Sequence, residues 1–102
     1  MDIKNRSLPE YKLELVPTSE EARIVQGFKW ADENIGKRSK IGGEPGFIQN
    51  DDWPICSCCG KKMLFYAQLD SVGDKLCIAD CGLIYVFMCF DCFETKSFVQ
   101  SY

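Results

Sequence analysis

The hydrophobic positions of this chain fall in short blocks divided by turn residues. Between Pro9 and Pro17, the run Tyr11 to Val16 alternates in side-chain character and predicts a short strand. Thr18-Ser19-Glu20-Glu21 resembles a capping box, followed by Ala22 and Val25 with Ile24 or Phe28 on one face. A helix of about two or three turns is expected there, although residues 23–30 also fit an extended segment. Residues 41–46 form a permissive turn, because Gly42 and Gly43 lift steric limits and Pro45 keeps Glu44 out of the helical region. Phe47-Ile48-Gln49 then reads as a short strand and Asn50 to Pro54 as a second turn. From Met63 to Leu69, Met63, Phe65, Ala67 and Leu69 alternate with Leu64, Tyr66 and Gln68. Both sets are largely apolar, which predicts a central strand covered on both faces. Ser71 to Asp74 is a turn and residues 76–79 a short strand. Leu83 to Met88, rich in β-branched and aromatic residues, is a dense strand, and Ser97 to Gln100 is the last one.

Length and composition narrow this to one small globular domain. The chain has 102 residues, 46% hydrophobic and 26% charged, an ordinary balance for a packed core. Its longest uncharged apolar run, Cys81 to Phe90, is ten residues, against about 20 for a membrane span. Residues 1–12 lack the apolar stretch of a secretory signal, so a reducing cytoplasm is the expected compartment. Histidine is absent, which removes Ser-His and Cys-His nucleophile pairs and mixed Cys/His metal sites.

The seven cysteines carry the distinctive chemistry. In a reducing compartment, clustered cysteines favour metal over disulfides. Cys56 and Cys59 form one CxxC followed by Gly60, and Cys89 and Cys92 form a second, with 29 residues between the pairs. Such a turn bends both thiolates toward one point while backbone N–H groups reach the sulfurs, and Gly60 can supply the positive φ the turn needs. Phe93 follows the second pair where a glycine would be the easier choice. Together Cys56, Cys59, Cys89 and Cys92 make a four-thiolate set, the composition of a closed structural Zn2+ site. Cys58 competes for a ligand place, but a CxC or CC pair has poorer geometry. Cys77 and Cys81 read as small core residues. A redox dithiol lacks the βαβ setting that usually carries it, and rubredoxin-like iron remains the metal alternative.

The expected fold is therefore mostly β: a small antiparallel domain with a zinc-ribbon-like four-cysteine site and room for one short N-terminal helix. Residues 1–102 are read as a single domain, with 1–39 a strand and helix segment and 40–102 the zinc-binding core. Short strands with non-local pairing leave a limited core. A structural zinc ion can contribute roughly 10 kcal/mol, comparable with the whole net stability of a domain at about 5–15 kcal/mol.

Charge shapes the expectation about partners. Residues 1–40 carry a net +1 and residues 41–102 a net −4, for a formal −3 overall. Four thiolates and one Zn2+ take the formal charge to −5. Phosphate binding needs a basic face, and only Lys37-Arg38-Ser39-Lys40 is locally basic, so nucleic acid is not expected.

With those residues in view, a resemblance becomes specific. Residues 40–49, Asp52-Trp53-Pro54, Cys56 to Gly60, Met63 to Asp70, Asp80-Cys81-Gly82, Leu83 to Cys89, Cys92 and Glu94 to Tyr102 resemble the YwqG-like bacterial family. The same pattern is distantly similar to the N-terminal part of the programmed cell death protein 2 family. The resemblance covers about residues 40–102 and implies a β-rich fold with Cys56, Cys59, Cys89 and Cys92 as metal ligands. It brings no catalytic residues. Bacterial members near toxin and immunity genes imply an immunity or antitoxin role, whereas the eukaryotic relatives imply chaperoning of a ribosomal protein.

Two classes of function follow. The first is a zinc-stabilised protein-interaction module, whose acidic residues would suit a basic partner such as a toxin. Its candidate contacts are Asp51, Asp52, Trp53, Asp70, Asp74 and Asp91. The second is an enzyme or an iron electron carrier. Acids adjacent in a turn are usually exposed, with nothing to tune them as general acid and base, so no enzyme is expected.

Overall fold

A computed structural model describes residues 7–28, 34–74, 77–78 and 81–101. Five strands form one antiparallel sheet in chain order: β1 (Tyr11–Lys12), β2 (Lys40–Ile41), β3 (Leu64–Asp70), β4 (Leu83–Met88) and β5 (Thr95–Gln100). Among the described residues one helix, α1 (Glu20–Val25), lies between β1 and β2. The predicted mostly β, antiparallel class is the observed one. The sheet is uneven, because β3, β4 and β5 have six or seven residues each and β1 and β2 only two.

On β4 the alternation is regular, with Leu83, Tyr85 and Phe87 buried and Ile84, Val86 and Met88 half-buried. On β3 it is broken. Phe65 pairs with Phe87, but Ala67 pairs with Val86, so Tyr66 is an extra residue bulged out of the ladder. A bulge exchanges the faces of everything beyond it. Before it, Phe65 faces the core; after it, Gln68 and Asp70 do so, opposite Tyr85 and Leu83. This corrects the prediction that β3 is covered on both faces: Tyr66 and Leu69 are 38% and 43% exposed. The core face of β3 therefore passes from the apolar Phe65 before the bulge to the polar Gln68 and Asp70 after it.

The core lies on one side of the sheet. Met63, Phe65, Leu83, Tyr85, Phe87, Cys56 and Cys89 are buried together, with Phe47, Ile48, Trp53, Cys59 and Phe98 packed against them. Phe47 stacks near-parallel with Phe87 and Phe98, at centroid distances of 6.3 and 6.4 Å. The segment 47–49 that supplies this cover is not the predicted strand. Two buried glutamines stand in for a neighbouring strand instead. Gln68 Oε1 accepts from the Gly46 amide, and Gln100 Oε1 accepts from the Ile48 and Gln49 amides at 2.9–3.0 Å. Their amide nitrogens donate to the Arg38 and Asn50 carbonyls. Buried backbone groups need partners, and here side chains provide them where no ladder reaches.

The N-terminal segment is lightly attached. The predicted strand from Tyr11 to Val16 shortens to two residues because β2, its partner, is no longer; one further bond joins the Leu13 amide to the Ser39 carbonyl. Ser19, rather than Thr18, caps α1 by accepting from the Ala22 amide, and the six-residue helix has no fully buried residue. The alternative extended reading of residues 23–30 fails over Arg23–Val25, and its residues 29 and 30 lie outside the described residues. In the predicted strand at 76–79, residues 76 and 79 also lie outside them, and Cys77 and Ile78 join no strand.

An ion pair ties this segment to the sheet. The Arg38 guanidinium donates through Nε to Asp70 Oδ2 at 2.8 Å and through Nη2 to Oδ1 at 2.6 Å. The Gly36 and Arg38 amides and the Ser71 amide complete the carboxylate's bonds. Burial alone would raise the Asp70 pKa, but the Arg38 side chain and the Arg38 and Gly36 amides outweigh it and hold the carboxyl below its ordinary value. Lys40 pairs with Glu10 at 2.9 Å, so two cations of the basic run are engaged within the protein.

Candidate metal centre

Each CxxC forms the tip of a hairpin. The first is flanked by an isolated bridge between Ile55 and Lys62, and the second joins β4 to β5. Their backbones match step for step. The Gly60 amide donates to the Cys56 carbonyl at 2.8 Å, and the Phe93 amide to the Cys89 carbonyl at 2.7 Å. The Cys56 amide donates to the Lys61 carbonyl, and the Cys89 amide to the Glu94 carbonyl. Gly60 has φ +70° and Phe93 φ +61°. Thus Phe93 adopts the left-handed conformation that its neighbour leaves to glycine, at a cost of about 1 kcal/mol.

The two tips bring four sulfurs together. The Sγ atoms of Cys56, Cys59, Cys89 and Cys92 all lie within 4.8 Å of one another. Cys56 Sγ is 3.2 Å from Cys92 Sγ, and Cys89 Sγ is 3.8 Å from Cys59 Sγ. Bonds of about 2.3 Å to a tetrahedral ion would set sulfurs roughly 3.8 Å apart. Four thiol donors at this spacing therefore fit a single metal ion with a closed shell. Cys56 and Cys89 are buried, Cys59 is half-buried and Cys92 is exposed.

The surrounding groups bias these sulfurs in opposite directions. The Cys92 and Asp91 amides, aimed at the Cys89 sulfur, pull its pKa down to about 7. Contact with Cys89 and burial push the Cys59 thiol up. At Cys56 the Cys59 amide, the largest influence, favours the thiolate, but Glu94, burial and Cys92 together push the thiol up.

Glu94 is a site residue that the sequence reading did not single out. Its carboxylate accepts from the Ser57 hydroxyl at 2.6 Å, the Ser57 amide at 2.9 Å and the Cys56 thiol at 3.1 Å. These donors, led by the Ser57 hydroxyl, hold its pKa at about 2. It crosses from the second hairpin to the first. The available signal was its position two residues beyond Cys92, where the chain leaves the turn. Lys96 adds a second crossing, donating to the Ile55 carbonyl at 2.9 Å.

The remaining cysteines stand apart from the quartet. Cys58 is exposed within the first tip, while Cys81 is buried and its amide donates to Cys77 Sγ at 3.2 Å. Cys81 precedes β4 and Cys89 follows it, which places the two at opposite ends of that strand.

The six proposed partner contacts do not form one patch around the sulfurs. Asp70 is a correction, because its side chain is fully buried in the pair with Arg38 and presents no exposed carboxylate. Trp53 belongs largely to the core: its Nε1 donates to the Met63 carbonyl and its ring meets Phe87 edge-on at 5.3 Å. Asp74 is half-buried, and its amide donates to the Gly27 carbonyl. Asp51 and Asp52 are exposed on the loop near Gln100, at the β4 end away from the sulfurs. Asp91 is exposed on the second tip, 3.9 Å from Lys61 Nζ. A cleft of about 380 Å³ beside Cys89 is lined by Trp53, Met63, Met88 and Phe90, together with Lys61, Lys62 and Asp91. Near the sulfurs, lysines offset the acidity implied by the net charge of residues 41–102.

Among the described residues no helix is long and apolar enough to cross a membrane. Comparison with known proteins finds 34% identity over 62 residues, 61% of this chain, to "Uncharacterized protein YpfL" of Salmonella typhimurium. The chain covers only 15% of the length of that protein. No family model matches the sequence, and no solved structure matches it.

Proposed function

We propose that this chain is a zinc-stabilised protein-interaction module without enzymatic activity, acting in the cytoplasm. The observation carrying this reading is the convergence of four cysteine sulfurs from two hairpin tips. Such a set favours a structural ion with no open position for substrate. Cys56, Cys59, Cys89 and Cys92 would hold the ion, which would supply cross-linking between the tips. The resemblance of residues 40–102 to the YwqG-like family supports an immunity or antitoxin role. A basic protein is the favoured partner, met at the exposed Asp51 and Asp52, with Asp91 secondary. Chaperoning of a ribosomal protein is the same surface chemistry applied to another basic client. Co-purification from the native host at low and moderate salt tests this: a basic protein retained by wild type and lost from D51N/D52N supports it. Recovery of no protein at either salt contradicts it.

A rubredoxin-like iron carrier is the second reading, favoured by the matched backbone of the two tips. The absence of a second glycine does not count against it, since Phe93 takes the same left-handed φ as Gly60. Freshly purified protein that is colourless and contains zinc supports the first reading; a red ferric thiolate spectrum supports the second.

A further inference from the structure

We propose that Cys92 is an oxidation site for hydrogen peroxide and that Cys56, on the opposite hairpin, resolves it into a disulfide across the metal centre. The inference rests on the metal reading above and adds a second, covalent state of the same site. Two observations carry it. Among the four ligands Cys92 is the exposed one, whereas Cys56 and Cys89 are buried and Cys59 is half-buried, so an oxidant in solution meets Cys92 before the other three. Cys56 Sγ, which belongs to the other tip, lies 3.2 Å from the Cys92 sulfur.

The chemistry balances in two steps. The Cys92 thiolate attacks one oxygen of peroxide, the O–O bond breaks, and a sulfenic acid and hydroxide form. The Cys56 thiolate then attacks the Cys92 sulfur, the S–O bond breaks, and a second hydroxide leaves as the S–S bond forms. Peroxide accepts two electrons and the two thiolates lose them. Two of the four ligands are consumed, so the ion is released.

Pairing across the hairpins has a consequence that pairing within one CxxC lacks. It keeps the two tips fastened after the metal has gone. Glu94 reinforces this, since its carboxylate already binds the Ser57 amide and hydroxyl from the β5 side. Oxidation would therefore exchange one cross-link for another and leave the sheet closed.

The test treats zinc-loaded protein and its C58S variant with hydrogen peroxide, follows zinc with a colorimetric chelator, and maps disulfides by peptide mass spectrometry. One equivalent of zinc released with a Cys56–Cys92 linkage in both proteins is the expected result. The oxidised protein should then keep its melting transition in EDTA, which the reduced protein loses. A linkage within Cys56/Cys59 or Cys89/Cys92, a linkage that requires Cys58, or unfolding on oxidation overturns the proposal. If the starting protein binds no zinc, the metal reading fails, and the disulfide map of that sample still decides the pairing.

Discussion

The two cysteine turns share a backbone but differ in how they are secured. The second is the direct continuation of β4 and β5, which pair along six residues. The first is flanked by a single bridge, between Ile55 and Lys62. It is held from outside, by Glu94 on Ser57 and Cys56 and by Lys96 on the Ile55 carbonyl. The better-anchored turn tolerates a strained Phe93, and the weakly anchored one has glycine at that place. Local strain of about 1–3 kcal/mol persists where surrounding structure over-determines it. A ladder supplies that over-determination to the second turn. The first turn has, in place of a ladder, the Met63 amide bonded to the Pro54 carbonyl, the sulfurs, and two side chains reaching across.

The strongest break of this comparison is loss of the ion. Chelation, or Cys59→Ser or Cys92→Ser, is expected to remove on the order of 10 kcal/mol of apparent metal-binding energy and unfold or aggregate the protein. Circular dichroism melts with and without chelator check it. Full metal content and an unchanged melting point in Cys92→Ser would contradict the assignment. Amide exchange in the metal-loaded protein should open residues 55–62 before β4 and β5, because only the second turn is continued by a ladder.

A break remote from both turns comes next. Asp70→Ala leaves Arg38 without its buried partner and should cost about 3 kcal/mol in denaturant titration with metal content unchanged. The Asp70 pKa is lowered in the fold, so its contribution is present above the unfolded carboxylate value and lost as pH falls. The gap between wild type and Asp70→Ala should therefore narrow from about pH 5 toward pH 3.

Smaller effects sharpen the contrast between the turns. Glu94→Gln keeps a carbonyl acceptor for Ser57 but loses the charge, and should cost about 1 kcal/mol with faster zinc release to a competing chelator. Gly60→Ala should cost about 1 kcal/mol, because the left-handed φ there penalises a side chain. Phe93→Gly should do the reverse, gaining roughly 0.5 kcal/mol after the entropy of glycine is counted. Equal signs for the last two substitutions in thermal melts would remove the distinction.

What the sequence made legible was local. Both CxxC turns and Gly60 are readable because a metal turn is specified within five residues, and Leu83 to Met88 because it is a dense run of β-branched and aromatic residues. The phase change at Tyr66 was not, since a bulge is defined by the register of a partner strand and leaves no mark in composition. For the same reason Asp70 read as a surface carboxylate, although its face is set by the bulge and its charge is met by Arg38, 32 residues earlier. Segment 47–49 reads as a strand from Phe47 and Ile48; its Ile48 and Gln49 amides bond to Gln100, and Gly46 just before it bonds to Gln68 and Tyr85, partners that no local pattern assigns. Glu94 was hidden similarly, its role depending on the two tips meeting.

Elemental analysis of protein purified under reducing conditions, alongside a Cys56→Ser/Cys59→Ser double variant, measures the central feature directly. One equivalent of zinc per wild-type chain, and none in the variant, is the predicted outcome. Fully reduced, folded wild-type protein carrying well under one equivalent of any metal would contradict it.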